Sequence, residues 1–391
     1  MKNRKSFLKG ALCGALAMLL AAGLVSCGLK VNSGSSDITS KTEDKISELQ
    51  NLVKKHYMGD VKEKNLEDGI YKGYINGLND PYSVYYNKKE TKELYESTGG
   101  EYSGIGAVMS QNTETGVITL VQIYKDSPAE KAGLKDNDIL YKVEGKEVTG
   151  KDLSKVVSKI KGEKGTTVEL TVLRGENAKE VTVTATRDTV QAQTIEYKLM
   201  DDKIGYIRVS EFDTVTYDQY EEALDDLEKQ GMTGLVVDLR NNPGGSLSTV
   251  CDMLDLMLPK GLIVYTEDKN GKKTEMKSDE EHQFTKPLAV LVNGNSASAS
   301  EIYSGAIQDY GIGKIVGTQT YGKGVVQQIF DLDDGTAVKL TIAEYFTPKG
   351  QDIDGKGITP DVKIKYQSDE ENPDADNQLE KAVETVKAQM K

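Results

Sequence analysis

Two short apolar runs, Leu235-Val236-Val237-Asp238-Leu239 and Pro287-Leu288-Ala289-Val290-Leu291-Val292, restrict the fold more than any other feature of the chain. Neither shows the polar alternation of a half-exposed strand, so each reads as a strand of a sheet covered on both faces. Such strands need helices around them, and helical spacing is present at Tyr220, Ala223, Leu224 and Leu227 and again at Ile302, Ala306 and Ile307. Region 187–366 is therefore expected to be an α/β core. Each apolar run ends in a turn, Arg240-Asn241-Asn242-Pro243-Gly244-Gly245 and Asn293-Gly294-Asn295-Ser296-Ala297-Ser298-Ala299-Ser300-Glu301. The ends of strands are where α/β sheets place their active sites.

The second turn leads into a helix, so its serines lie near a helix N-terminus whose unpaired N–H groups stabilise an anion. Serine is also a common N-cap for purely structural reasons, and position alone does not select one of the three as a nucleophile. A nucleophilic hydroxyl needs a base. His56 and His282 are the only histidines, far apart and among polar neighbours, which leaves Lys323 in Thr320-Tyr321-Gly322-Lys323-Gly324 as the candidate. A lysine with a solution pKa of ~10.4 serves as a base near neutrality only where burial or nearby positive charge depresses that value. Its flanking glycines permit close approach. Gly317 to Lys323 also spells a phosphate-binding loop, but Gly324 stands where Ser or Thr should hold magnesium, and Val325 to Phe330 reads as a strand rather than a helix. Nucleotide binding is set aside.

A formal charge of −13 and a pI near 4.9 exclude nucleic acid as the main partner, since phosphates require clustered Lys and Arg. At the N-terminus, Lys2, Arg4, Lys5 and Lys9 precede an uncharged, mostly apolar run from Gly10 to Val25, the pattern of a targeting segment. Leu24-Val25-Ser26-Cys27 resembles the lipobox of bacterial lipoproteins, which implies lipid attachment at Cys27. The other reading is a signal-anchor, for which the run falls short of the roughly 20 apolar residues that span a bilayer. Both readings place the protein outside the cytoplasm, anchored to the bacterial cell membrane. Without this segment Cys251 is the only thiol, so neither an intrachain disulfide nor a Cys-rich metal site is expected.

The remaining organisation follows from shifts of pattern. Residues 1–27 form the targeting segment and anchor, 28–40 a flexible tether, and 41–90 a helical region with apolar spacing at Ile46, Leu49, Leu52 and Val53, suited to packing or to a homodimer. Residues 91–186 form a compact module of short strands and one helix bearing Leu153, Val156, Val157 and Ile160. Its segments Ser103-Gly104-Ile105-Gly106-Ala107-Val108, Ser127 to Leu134 and Asp136 to Leu140 resemble a PDZ domain. That resemblance implies that Gly104, Ile105 and Gly106 present backbone N–H groups to a terminal carboxylate while the next strand adds the peptide at its edge. The partners would be proteins or peptides held by their C-termini. Residues 187–366 form the core, and 367–391 an acidic linker and a helix with Leu379, Val383 and Val386.

Taken in order, Gly77-Leu78-Asn79-Asp80-Pro81-Tyr82-Ser83, the PDZ segments, Asp238 to Gly245, Ser296 to Glu301, Gly322-Lys323-Gly324 and Thr347-Pro348-Lys349-Gly350 resemble the C-terminal processing peptidases, or tail-specific proteases. The resemblance runs from Gly77 to about Ile364. It implies a crotonase-like ββα protease core with an inserted PDZ domain and an N-terminal helical region. It further implies Ser298 as nucleophile, Lys323 as base and Gln327 as the residue that orients the lysine, with Ser296 and Ser300 in support. The N–H groups of Gly244 and Ala299 would form an oxyanion hole. The expected activity is serine endopeptidase, by acyl transfer without metal or cofactor. The alternative from another class is a catalytically inactive, membrane-tethered PDZ adaptor.

Overall fold

The structure is a computed structural model that describes residues 40–390 apart from 176, 280, 370, 373 and 374. The chain divides into two compact units, 1–66 and 67–391. In the first, helix α1 (Ser40–His56) buries none of its residues, and Leu49 and Leu52 of the expected apolar stripe are 53% and 49% exposed. Helix α2 (Glu63–Asn76) begins after a break around Gly59 and crosses the division between the units. The anchor segment and the tether up to residue 39 lie outside the described residues.

The second unit continues with β1 (Val84–Tyr86) and α3 (Lys88–Gly99), whose N-terminus is closed by a reciprocal capping box between Asn87 and Glu90. The PDZ module follows, from β2 (Glu101–Gly104), β3 (Ala107–Gln111), β4 (Ile118–Ile123), α4 (Pro128–Lys131), β5 (Asp138–Val143) and β6 (Lys146–Glu147) to α5 (Leu153–Ile160), β7 (Thr167–Arg174), β8 (Lys179–Thr186) and β9 (Asp188–Gln191). Its antiparallel sheet has the order β3-β4-β5-β7-β8, and Val156 and Ile160 of α5 close a core over Leu120, Leu140 and Leu170. Strands β2 and β9 pair antiparallel, Glu101 opposite Gln191 and Gly104 opposite Asp188, so the chain comes into the module and leaves it along one ribbon. This is the geometry of an inserted domain.

The α/β core comprises β10 (Ile195–Leu199), β11 (Ile204–Val209), α6 (Thr216–Lys229), β12 (Gly234–Asp238), α7 (Leu247–Asp255), β13 (Gly261–Asp268), β14 (Lys273–Ser278), β15 (Leu288–Val292), α8 (Ala299–Tyr310), β16 (Lys314–Gly317), β17 (Val325–Asp331), β18 (Ala337–Phe346), β19 (Val362–Lys363) and α9 (Asn377–Gln389). Its main sheet has the order β10-β11-β12-β15-β16-β19 and is parallel from β11 onward. One face packs on α6, α7 and α8, through residues such as Tyr220, Leu254 and Ile307, and the other on α9 through Ala382 and Val386. Covered on both sides, β12 and β15 are buried at every position, which is why neither alternates. They pair in register, Asp238 beside Leu291, so their C-terminal turns emerge side by side. A second sheet, β1-β18-β13-β14 with β17 on β18, stands against that end.

Helix α9 is tied to the β12 turn by charge. Arg240 donates to Asp238 Oδ2 at 2.6 Å, to Asp376 Oδ2 at 2.7 Å and to Gln378 Oε1 at 3.2 Å, while the Tyr206 hydroxyl donates to Asp238 Oδ2 at 2.9 Å. Removing one partner of a buried ion pair leaves the other charge uncompensated, which costs about 3–5 kcal/mol. Arg240→Ala is thus expected to lower unfolding free energy in urea by about that amount and to speed hydrogen exchange in α9. An unchanged midpoint would show that α9 docks by its apolar face alone.

Candidate active site

The turn after β15 is pinned from below. Ser296 and Ser300 are both fully buried: Ser296 Oγ donates to Leu239 O at 2.7 Å, and Ser300 Oγ donates to Asn242 O at 3.0 Å. The Ala297 N–H also donates to Asn242 O, at 3.1 Å. Parallel pairing of β12 with β15 brings the two turns into reach, and these bonds join them. Between the two anchored serines, Ser298 is forced to φ +55° and ψ −114°. A non-glycine residue there stores roughly 1–3 kcal/mol of strain, which persists only where the surroundings over-determine it. Of the three serines, Ser298 alone lines the cleft between the two sheets, a space of ≈ 340 Å³.

Glu301, fully buried one turn into α8, locks the site together. Its carboxylate accepts from Ser298 N at 2.9 Å, Thr320 Oγ1 at 2.6 Å, Gly322 N at 2.7 Å and Lys323 N at 2.9 Å. The Tyr345 hydroxyl lies within hydrogen-bond reach of the carbonyls of both Ser298 and Lys323. Behind Lys323, Gly324 stands so close to the backbone of Asp354 that a Cβ would fall 2.4 Å from its nitrogen, the close approach the glycine permits.

The Lys323 side chain is half-buried in the same cleft, and among the described residues its Nζ forms neither ion pair nor hydrogen bond. It lies 4.8 Å from the centre of the Tyr82 ring. Burial first, then the like charge of Lys339, holds its pKa below the ordinary lysine value, against the opposing pull of Glu301 and Asp80. The Gly77–Ser83 turn that supplies Tyr82 and Asp80 is fastened by Ser83, whose Oγ donates to Asp80 Oδ2 at 2.5 Å and accepts from Thr341 N at 3.1 Å.

Other expected residues fall as follows. Gly244 (φ +105°) abuts the serine turn, where a Cβ would sit 2.8 Å from Ser298 Cβ. Its N–H is not directed at open space, however, since it donates to Asn242 Oδ1 at 2.8 Å. The Ala299 N–H opens α8 and has no partner among the described residues, as the first N–H of a helix requires. Gln327 lines the cleft, but its amide donates to Val325 O at 3.4 Å and Thr341 Oγ1 at 3.3 Å rather than meeting Lys323. Gly104, Ile105 and Gly106 lie in the PDZ module and do not line this cleft. The carbonyl of Ile105 accepts from Ala129 N and that of Gly106 from Tyr124 N, whereas the N–H groups of Ile105 and Gly106 have no partner among the described residues. Cys27 lies outside the described residues.

Four residues at the site had no role in the sequence reading: Glu301, Asn242, Tyr82 and Asp213, the last a buried acid on the cleft wall. The spacing Ser298-x-x-Glu301 is a capping-box signature and marks Glu301 as structural. Nothing local marks Asn242, Tyr82 or Asp213, whose places depend on long-range packing.

The α/β core, the inserted PDZ domain and a cleft lined by both the serine turn and a half-buried lysine are those of a serine-type peptidase. Residues 203–364 match peptidase family S41, 119–174 the PDZ domain and 26–91 the activating protease CtpB N-terminal domain. The carboxy-terminal processing protease CtpA of Bacillus subtilis is 38% identical over 323 residues, covering 82% of this chain and 69% of that one. CtpB of the same organism is 37% identical over 329 residues, with coverage of 83% and 68%. A probable CtpA-like serine protease of Staphylococcus epidermidis is 37% identical over 352 residues, with coverage of 88% and 70%. The chain belongs to the carboxy-terminal processing proteases of peptidase family S41.

The three serines should separate in stability. Ser296→Ala and Ser300→Ala each remove a buried hydrogen bond from a carbonyl that keeps one backbone donor, Asn242 N on Leu239 O and Ala297 N on Asn242 O, a loss of about 0.5–1.5 kcal/mol. Ser298→Ala should cost less than either. Urea unfolding of the three variants measures this order, and a larger loss for Ser298→Ala would mean that Ser298 is the structural member of the set.

Proposed function

We propose that the chain hydrolyses peptide bonds through an acyl-enzyme, with Ser298 as nucleophile and Lys323 as base, and that its PDZ domain captures the C-terminal region of protein substrates. The observation that carries this reading is the convergence, in one cleft, of a strained serine with a half-buried lysine that has no ion pair among the described residues. Neutral Lys323 takes the hydroxyl proton as Ser298 Oγ attacks the carbonyl carbon, then returns it to the leaving amine. Water attacks the resulting ester as Lys323 takes its proton, and Lys323 then passes that proton to Ser298 Oγ as the acyl C–O bond breaks, which restores both residues. The Ala299 N–H faces no competing acceptor and stabilises the oxyanion; that of Gly244 joins it on release from Asn242 Oδ1. Gln327 orients the neutral amine once its amide is released from Val325 O and Thr341 Oγ1. Capture by the PDZ domain is supported by the N–H groups of Ile105 and Gly106, which have no partner among the described residues, and by β3, which ends its sheet with one edge unpaired among those residues. From the leader we further infer membrane anchoring outside the cytoplasm; if Cys27 carries the lipid, Cys27→Ala should leave the membrane fraction, and its retention would favour a signal-anchor.

The deciding experiment compares full-length wild type, Ser298→Ala and Lys323→Ala on an unfolded protein with an apolar C-terminus. Wild type should cut, Ser298→Ala should fall to background, and Lys323→Ala should lose about 10²–10⁴-fold. Binding without cleavage by all three would replace this reading with the adaptor.

The pH profile is a second check. The base must be neutral, so kcat/KM should rise with pH through the depressed pKa of Lys323. Lys339→Gln removes a like charge that lowers that pKa, so the ascending limb should move to higher pH. A limb that stays in place would remove Lys323 from the base role or Lys339 from its neighbourhood.

A further inference from the structure

The cleft that holds Ser298 is lined by charges of both signs, Lys323 and Lys339 on one hand and Asp213 on the other. Asp213 is 7% exposed, in the segment between β11 and α6. Its backbone is well tied, its N–H donating to Thr216 Oγ1 and its carbonyl accepting from Thr216 N. Its carboxylate has no cation and no hydrogen-bond donor among the described residues. The charge that acts on Asp213 is Glu211, of like sign, and neither Lys323 nor Lys339 forms an ion pair with it. Phe212 N donates to Gly244 O and Ser246 N donates to Phe212 O, which seats Asp213 beside the turn that touches Ser298.

A carboxylate buried without a partner is unfavourable, and folds keep such groups chiefly where a ligand supplies what is missing. The parts packed around Asp213 offer nothing that could: the C-terminal end of α3 at Thr98 to Gly100 presents carbonyls and Gly100 itself, and the Gly244–Leu247 turn has no titratable side chain. The cleft wall near it, with Phe212, Leu247 and Ile302, is apolar. Resting on the peptidase reading above, we propose that Asp213 is a specificity-determining residue that receives the cationic side chain of a Lys or Arg near the scissile bond of the substrate. The substrate's charge completes the pair that the fold leaves open. Burial, followed by Glu211, pushes the Asp213 carboxyl up to about 6, so it is ionised and able to hold a cation at neutral pH and becomes neutral in mild acid.

The test uses full-length protein and peptides with a common apolar C-terminus, in which each position around the cleaved bond carries either Lys or its uncharged isostere norleucine. Cleavage is measured with wild type, and binding with Ser298→Ala. At one position Lys should be preferred over norleucine by about tenfold or more above the Asp213 titration, the worth of one charge-assisted hydrogen bond. The ratio should decline toward unity as pH falls through about 6. A pH effect on Lys323 acts on both peptides alike and cancels from this ratio. Asp213→Asn should flatten it, and Asp213→Glu should restore part of the preference. Asp213→Asn removes a buried charge rather than a contact, so its thermal midpoint should not fall. A ratio near unity at every position, or a preference that survives in Asp213→Asn, overturns the proposal. If nothing is cut but Lys peptides still bind in an Asp213-dependent way, the cation site stands and the peptidase reading falls.

Discussion

The carboxylate of Glu301 holds two chain segments together, and the geometry of the cleft depends on it. It is fully buried, yet its four donors are three backbone N–H groups and a threonine hydroxyl, none of them a cation. Burying an ion costs several kcal/mol. Hydrogen bonds to a charged group contribute about 1.5–3 kcal/mol each, so four of them offset that cost only while all are made. The serine turn and the lysine turn are therefore held as a unit: neither can drift without leaving a buried charge short of donors. This is preorganisation achieved with rigid backbone rather than flexible side chains. It has an electrostatic side effect, because the same carboxylate favours the charged form of Lys323. Burial and Lys339 outweigh it, and the net pKa lies below that of a free lysine.

How much of this could be read from the residues depends on the range of the forces involved. Strands β12 and β15 were legible because two-sided burial removes all polar residues but Asp238, a local and unambiguous signal. The helix faces of α5, α6 and α9 were legible for the same reason, through their 3.6-residue period. The choice among Ser296, Ser298 and Ser300 was not, except through family resemblance. What separates them is that Ser296 meets Leu239 O and Ser300 meets Asn242 O, contacts made across the register of β12 against β15 some 57 and 58 residues away in sequence. Spacing along the chain carries no record of that register. Glu301 was visible as a capping-box residue, but its grip on Gly322 and Lys323 was not.

The Gly244 turn shows how local turn chemistry competes with function. Asparagine side chains readily accept from the N–H two residues on, and Asn242 does so here, occupying the donor that the family pattern would assign to the oxyanion. Asn242 is also the residue whose carbonyl receives Ser300 Oγ and Ala297 N, and its Nδ2 donates to Val209 O. One buried asparagine thus sets the position of the serine turn, the end of β11 and the N–H of Gly244 at once.

The inserted domain meets this arrangement through few bonds. The Gly100 carbonyl, at the start of the β2–β9 ribbon, accepts from Ala192 N at its end, and the Thr98 carbonyl just before it accepts from Thr214 N. Two residues before Thr214, Phe212 pairs with Gly245 and exchanges hydrogen bonds on either side of it with Gly244 and Ser246. From the base of the PDZ ribbon to the turn beside Ser298 is therefore a path of three consecutive residues, Phe212 to Thr214, each bonded at its backbone. The buried Phe212 bonds cannot be opened singly, because an unpaired buried amide costs as much as the bond it has lost, whereas the Thr98–Thr214 bond is a 3.4 Å contact between exposed residues. The turn after β12 and the segment Phe212 to Asp213 are therefore held as one piece, to which the base of the ribbon is joined by the Thr98–Thr214 bond.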